Sequence, residues 1–464
     1  MKHTMLICAP FSSRSGYGNH ARDLFYSLDK MNKFEIKCLD VNWGECPRNA
    51  LVEDTEFNKN LISTFIHQQD IGKWLNNRQL DFYMDIRIPN EFQQYAKFNI
   101  GVTAGIETNA VSQKWIESCN KMDLIIVPSE HSKAGFVNSI YDKIQQMPDG
   151  KQQKVGELKL EKPMEVLFEG ADDKIWKPLK ATEIEENFYN EINDLVKENF
   201  AFLFVGQWCK GGYGEDRKDI GRMLKLFYES FANMNNAPAM ILKTSGAGFS
   251  IMDREDCIKK IKLIQSQFPS DLKLPNVYLV HGDLKEEELN YLYNHPKVKS
   301  LVNLTHGEGF GRPMLEATMT GLPVMASGWS GQMDFLDRNQ SVLIGGELKQ
   351  VPKSVVWKDI IIPQSQWYNV DEASVVKAFK HIHKNNLQVK KNAKQLMETN
   401  RKKFTLDKMT EKFSEIMTKI TDSIPQQVPM SLPKLKKKSD EKPVETPKVT
   451  LPKLKKLSQE AANG

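Results

Sequence analysis

The sequence predicts an α/β chain built from two Rossmann-like, doubly wound domains that face each other across a cleft. Three observations carry this expectation. Continuous apolar runs at residues 123–127 (Asp-Leu-Ile-Ile-Val) and 200–205 (Phe-Ala-Phe-Leu-Phe-Val) read as parallel strands buried on both faces. Helical segments alternate with such strands along both halves of the chain. The 464 residues are enough for two domains and an appendage.

Composition narrows the class. Hydrophobic residues make up 40% and charged residues 27%, as in ordinary globular proteins. No apolar run approaches the ~20 residues of a membrane span. Residues 5–9 are too short for a signal-peptide core and read as a first strand. The six cysteines show no Cys-x-x-Cys or Cys/His ligand spacing, so reduced thiols in a cytoplasmic protein are expected and structural zinc is not. The net charge of +5 sits entirely in residues 424–464, which hold nine lysines and four acids. The body is balanced, which argues against a broad basic face built to grip nucleic acid.

Residues 1–180 form the expected first domain. Residues 4–9 read as a strand and run into the loop Pro10-Phe-Ser-Ser-Arg-Ser-Gly-Tyr-Gly-Asn-His20, ahead of a helix over 21–28. A strand, a loop with Gly16 and Gly18, and a helix start suit phosphate binding. The same pattern also makes a tight turn, and both readings stand. Residues 34–39 read as the second strand, and 40–100 alternate short elements without a motif. A strand at 99–104 ends at Gly105-Ile-Glu-Thr-Asn109, a helix follows over 112–121, and Pro128-Ser-Glu-His-Ser132 starts another after the strand at 123–127. Residues 165–178 are a strand and a turn leading towards a domain boundary, with Asp172 and Asp173 as solvated turn carboxylates. No Asp-x-Asp occurs in the chain, so a metal site of that type has no support.

Residues 181–370 form the second domain. After the strand at 200–205 comes a polar loop over 206–216, with Arg217 and Lys218 at the start of a helix over 220–232. Basic side chains at such a junction clamp a diphosphate, Arg by a fork and Lys as a point charge; a solvated helix start is the plainer alternative. Strands are expected at 239–244, 277–281, 300–304 and 322–326, with a helix over 286–293. Polar loops beyond the carboxyl ends of these strands would converge on one crevice.

The most informative stretch is 303–323. Gly307, Gly309 and Gly311 permit tight turns and close ligand approach. Pro313 suits the first turn of a helix, Gly321 its end, and Pro323 bars continuation. The free N–H groups at the start of this helix make an anion site, with Glu308 before the helix and Glu316 within it.

Residues 371–423 are expected to be amphipathic helices with Val375, Phe379, Ile382, Leu387, Leu396, Phe404, Met409, Phe413, Ile416 and Ile420 inward. Residues 424–464 carry six prolines and repeat Leu-Pro-Lys-Leu-Lys-Lys at 432–437 and 451–456, so a disordered tail is expected. It serves either as a solubilising extension or as a two-copy dock for an anionic surface or a partner protein.

The second half resembles family 4 glycosyltransferases of the GT-B fold. Glu308-Gly-Phe-Gly-Arg-Pro-Met-Leu-Glu316 matches that family's E-x7-E element. Lys218, nine residues before Phe227, falls where the family keeps a phosphate-binding lysine. Phe168-Glu-Gly-Ala-Asp172 is similar to its Asn/His-Gly-Val-Asp turn, and Glu107-Thr108, Trp115 and Pro128-Ser129 resemble a segment of one branch. The resemblance spans roughly residues 1–420 and is closest over 200–340. It implies a retaining hexosyltransferase that takes a UDP- or GDP-linked sugar as substrate, without a metal ion or cofactor. It also implies terminal helices that cross back to the first domain. The diphosphate would rest on the N–H groups of Phe310 and Gly311 and on Lys218. Gly309, Arg312, Arg217 and the Arg14, Gly16 and Gly18 loop complete the donor side. Glu316 would hold the ribose and Glu308 the sugar. Gln207 stands where the family often has arginine, so Arg217 or Arg14 would supply that charge. Glu107 and Thr108 occupy the place of the usual acceptor-side histidine. The acceptor is a glycan, lipid, small molecule or hydroxymethylated DNA base, and a catalytically silent GT-B scaffold is the alternative.

Overall fold

The first strand, His3–Ala9 (β1), is buried along its whole length, as a central parallel strand must be. The structure is a computed structural model and describes residues 2–147, 152–209, 211–246 and 248–422. Phe34–Asp40 (β2), Phe82–Ile86 (β3), Phe98–Val102 (β4) and Leu124–Val127 (β5) follow. An antiparallel hairpin of Tyr141–Gln146 (β6) and Gln152–Leu158 (β7) then precedes Met164–Val166 (β8). The parallel sheet runs β2-β1-β3-β4-β5-β8, so the chain reverses direction across the sheet between β1 and β3.

The second lobe repeats this plan. Ala201–Gln207 (β9), Ala239–Ser245 (β10), Val277–Val280 (β11), Val298–Asn303 (β12), Val324–Ser327 (β13) and Val342–Ile344 (β14) form a parallel sheet in the order β11-β10-β9-β12-β13-β14. The reversal here lies between β9 and β12. In β9, Phe202 and Phe204 enter one core while Ala201 and Leu203 enter the other, the alternation of a two-faced strand. Phe202 packs edge-on to Phe379, 5.0 Å away, and to Phe227 at 6.1 Å, which fixes the helix Ile220–Phe231 on the sheet. The helix Arg312–Met319 covers the other face through Met314, Leu315, Ala317 and Met319. A second antiparallel pair, Gly346–Gln350 (β15) and Gln366–Val370 (β16), extends the lobe.

Three terminal helices follow: Glu372–Lys384, Asn386–Lys403 and Leu406–Thr421. The last packs Met409, Phe413, Ile416 and Met417 into the first lobe against Leu24, Phe25 and Leu28. Ser27 Oγ and Thr410 Oγ1 meet at 2.8 Å across that contact. At the crossing point, Ala171 N–H donates to Phe404 O (3.0 Å) and Leu406 N–H to Ala171 O (2.9 Å). Gly170 lies so close to Leu406 that a Cβ would sit 2.6 Å from its Cα, so the crossing requires glycine there.

Leu387 corrects the expected core list: it is 86% exposed. The chain breaks at Asn385 and a new helix begins at Asn386, so the helical phase resets. Val389, Ala393, Leu396 and Asn400 form the buried stripe instead, with Leu387 on the outer side of the first turn. Helices Glu186–Leu195 and Ile251–Gln265 and the two hairpins were not foreseen. Asp172 behaves as a turn residue, its Oδ1 accepting from Lys174 N–H at 2.9 Å. None of the six cysteines is bridged, and four are buried. Among the described residues no helix is long and apolar enough to cross a membrane. The tail expectations for 424–464 lie outside the described residues.

Candidate active site

Ligand crevices in doubly wound sheets open where strand order reverses. In the second lobe that point is flanked by the loops after β9 and β12. The first of these loops ends Asp216-Arg-Lys-Asp219. Asp216 Oδ1 accepts from Lys218 N–H and Oδ2 from Ile220 N–H, both at 3.0 Å, so its carboxylate caps the helix from inside. Asp219 adopts a left-handed conformation (φ 51°), and its Oδ2 lies 3.0 Å from Arg222 Nε. Burial pushes the Asp216 carboxyl up to about 6 and that of Asp219 to about 7. With both acids turned inward, Lys218 and Arg217 are left for the cleft. Lys218 Nζ forms a short ion pair with Glu308 Oε1, and Arg217 Nη1 reaches Glu107 Oε1 of the first lobe at 2.5 Å.

The loop after β12 is fixed from two sides. Thr305 Oγ1 donates to Arg217 O (3.1 Å) and His306 N–H to the same carbonyl (3.0 Å), which joins the two loops. His306 is fully buried and stacks on Trp367 with ring centroids 4.1 Å apart. Glu308 N–H donates to Ser330 Oγ (2.9 Å), and Gly331 N–H to Glu308 O (3.0 Å), so the loop after β13 cradles Glu308. Gly311 caps the helix Arg312–Met319 at φ 101°, a conformation that strains residues with a Cβ. The N–H groups of Phe310 and Gly311 donate to no acceptor among the described residues, as expected of a helix start left open to an anion.

The first lobe meets this loop through its backbone. A Cβ on Gly309 would lie 2.1 Å from Ala104 O, and one on Gly307 2.1 Å from Glu107 O. Ser129 Oγ and Ser132 Oγ both donate to Gly309 O, at 2.5 and 3.3 Å. Glu130 N–H donates to Asp334 Oδ2, and three hydrogen bonds join Asn109 and Gln366.

Glu316 sits in a buried ionic cluster. Arg312 Nε donates to its Oε1 at 3.1 Å, while Arg312 Nη1 reaches Asp23 Oδ2 of the first lobe at 2.5 Å. Burial pushes Glu316 up to about 8, although the Arg312 guanidinium opposes this. Burial also raises nearby Glu169 to about 7, raises Asp23 and Glu286, and lowers His20 to about 3. Four carboxyls thus share Arg312 in a region of low dielectric, and Asp23 and Glu286 also feel Arg22.

The predicted site residues fall into three groups. Lys218, Arg217, Glu308, Gly309, Glu107 and the Phe310 and Gly311 N–H groups come together at the seam between the lobes. Phe310's side chain is core, 5.1 Å from Phe335. Glu316 and Arg312 lie one helical turn away, with the Arg312 guanidinium engaged by two carboxylates. Arg14 reaches across the seam to the second lobe, while Gly16, Gly18 and Thr108 serve local structure. Arg14 is held by Asp283 (3.0 Å) and Asn49 (3.3 Å). Gly18 sits in the first turn of the helix Gly16–Met31, where a Cβ would lie 2.5 Å from Ser13 O, while Gly16 opens on free space. Thr108 Oγ1 donates to Ala110 O at 2.9 Å. Gln207 is committed to Gly246 O. Sequence reasoning missed Asp23, Ser132 and Ser330, and named Ser129 only within a family-like segment and a helix start. The only signal for Ser330 was its place in Ser-Gly-Trp-Ser-Gly-Gln after a strand, and the others lie far off in sequence.

The sequence matches no protein-family model and no curated protein. Solved structures share the architecture. Anabaena HepE in complex with UDP and glucose is similar at a TM-score of 0.58 and 11% identity, over 90% of this chain and 100% of that one. Sucrose-phosphate synthase from Thermosynechococcus elongatus is similar at 0.58 and 12%, over 91% and 100%. A UDP-forming trehalose-phosphate synthase from Burkholderia xenovorans in complex with glucose-6-phosphate is similar at 0.56 and 10%, over 90% and 100%. These likenesses show the GT-B fold.

Proposed function

We propose that this chain is a retaining, metal-independent glycosyltransferase of family 4 that moves a hexose from a UDP- or GDP-linked donor to a hydroxyl of a glycan-type acceptor. The observation that carries this reading is the convergence of Lys218 and Glu308 at the strand-order reversal, beside the open N–H groups of Phe310 and Gly311. The UDP and glucose bound by HepE and the glucose-6-phosphate bound by the trehalose-phosphate synthase support it.

In this reading Lys218 exchanges its Glu308 partner for the donor diphosphate, which also takes the two N–H groups. The bond between the anomeric carbon and phosphate oxygen breaks, and its electron pair leaves with the diphosphate. Fixed donors aimed at that growing charge are the main catalytic contribution. Glu308, freed from the lysine, faces the sugar and stabilises positive charge at the anomeric carbon. The acceptor oxygen bonds to that carbon, and its proton passes to the departing phosphate. Glu316 accepts from the ribose hydroxyls. Admission of the donor requires the lobes to part, breaking the serine contacts to Gly309 O and the Arg14–Asp283, Arg217–Glu107 and Arg312–Asp23 pairs.

Calorimetric titration of UDP and GDP into the wild-type chain and Glu316→Ala tests the donor assignment. One nucleotide should bind the wild type, and the variant should lose about tenfold or more in affinity, the worth of a charged hydrogen bond. Equal affinity in the two proteins would overturn the role of Glu316.

A further inference from the structure

An aromatic pair stands apart from the charged groups of the cleft. Tyr17 lies in the first turn of the helix Gly16–Met31. Its hydroxyl oxygen accepts from Ala104 N–H at 3.0 Å and pairs with Thr103 Oγ1 at 3.0 Å. Ala104 is the residue whose carbonyl oxygen abuts Gly309, so the Tyr17 ring is anchored directly behind the seam at the donor loop. Trp43, from the loop after β2, lies on that ring with centroids 4.3 Å apart and planes 36° from parallel. Trp43 is half-buried, and it belongs to none of the five hydrophobic clusters that form the cores.

The loop carrying Trp43 is held firmly. Arg14 N–H donates to Pro47 O (2.9 Å) and Ala50 N–H to Ser12 O (3.1 Å). Ser12 N–H donates to Asp40 Oδ1 (3.0 Å), and Arg48 Nη2 to Asp40 Oδ2 (2.7 Å). Arg48 Nη1 also donates to Asn42 Oδ1. Beside this fixed aromatic face the same loop carries exposed Asn42 and Arg48, planar groups able to accept or donate in pairs, which with Asp40 would form its polar rim.

We propose that Trp43, backed by Tyr17, is the acceptor subsite and that its occupant is a carbohydrate. The proposal rests on the donor reading above. A pyranose has one face of C–H bonds and an edge of hydroxyls. The C–H face suits the electron-rich face of an indole, and the hydroxyls suit the rim. A lipid chain would need a continuous apolar groove, whereas this rim is charged. A nucleic acid would need an excess of cations, whereas Arg48 is balanced by Asp40.

Saturation-transfer NMR tests this on the full chain with glucose, glucose 6-phosphate, maltose and methyl β-galactoside, each with UDP or GDP present. Wild type, Trp43→Ala and Trp43→Phe are compared. At least one sugar should receive saturation through its ring C–H protons. Its affinity should fall about tenfold in Trp43→Ala, the cost of truncating an aromatic anchor, and be largely kept in Trp43→Phe. Equal sugar binding in Trp43→Ala, or no sugar bound by the wild type, overturns the proposal and leaves the stack as a loop staple. UDP and GDP titrated into the same samples report separately on the donor side. Sugar binding that depends on Trp43 without nucleotide binding would support this subsite and count against the donor reading.

Discussion

The two faces of the cleft are made of different materials. The second lobe offers a lysine, two carboxylates and open backbone N–H groups, each locked to its sheet by hydrogen bonds from neighbouring loops. The first lobe offers carbonyl oxygens, serine hydroxyls and an aromatic pair, and the charges it turns to the seam, Arg14, Asp23 and Glu107, are paired with Asp283, Arg312 and Arg217 of the opposite lobe. In the proposed reading one face takes a polyanion and the other a neutral, shaped partner. The contrast teaches that the faces should respond to different perturbations.

The largest effect is expected on the charged face. Lys218→Ala should lower donor turnover by ~10²–10³, the scale for losing one preorganised donor to developing charge. Nucleotide release assays would measure it, and a loss below threefold would break the contrast. Next comes the seam. Gly309→Ala places a methyl 2.1 Å from Ala104 O, so the lobes should no longer meet there. Hydrogen exchange should rise in segments 104–109 and 305–312 together; unchanged protection would contradict the contact.

The third test uses pH. Burial raises the Glu316 carboxyl from 4.5 to about 8, so the folded chain holds a proton that the unfolded chain releases. Stability should therefore fall as pH rises from 4.5 to about 8, by on the order of a few kcal/mol from this group before Arg312 and the neighbouring carboxyls redistribute the charge. Glu316→Gln should flatten that fall, read as a melting-temperature difference from wild type that widens with pH. The smallest effect is expected on the neutral face. Ser132→Ala removes a 3.0 Å bond to Ala104 O and a 3.3 Å contact with Gly309 O that Ser129 also serves, so its cost should be about 1 kcal/mol in chemical denaturation.

The same contrast explains what the sequence disclosed. The charged face comes from two short stretches, 216–219 and 305–316, where glycines, a proline and carboxylates at fixed spacing are readable in one line. The buried strands were readable for a similar reason, since continuous apolar runs have few alternatives. The neutral face is assembled from Tyr17, Trp43, Ala104, Ser129 and Ser132, which only the folded sheet brings together. Leu387 failed because a helix break at Asn385 cannot be seen in apolar spacing alone. The pairing of Arg312 with Asp23, 289 residues away, is likewise beyond any local pattern.

Turnover of nucleotide sugars by the wild-type chain and Lys218→Ala tests the central claim most directly. A panel of UDP- and GDP-hexoses would be incubated with each protein in the presence of a chelator, and released nucleotide measured. At least one donor should be consumed by the wild type, with the rate falling at least a hundredfold in the variant. A wild type that binds these donors but releases no nucleotide, or a variant as fast as wild type, would contradict a transferase centred on Lys218 and Glu308.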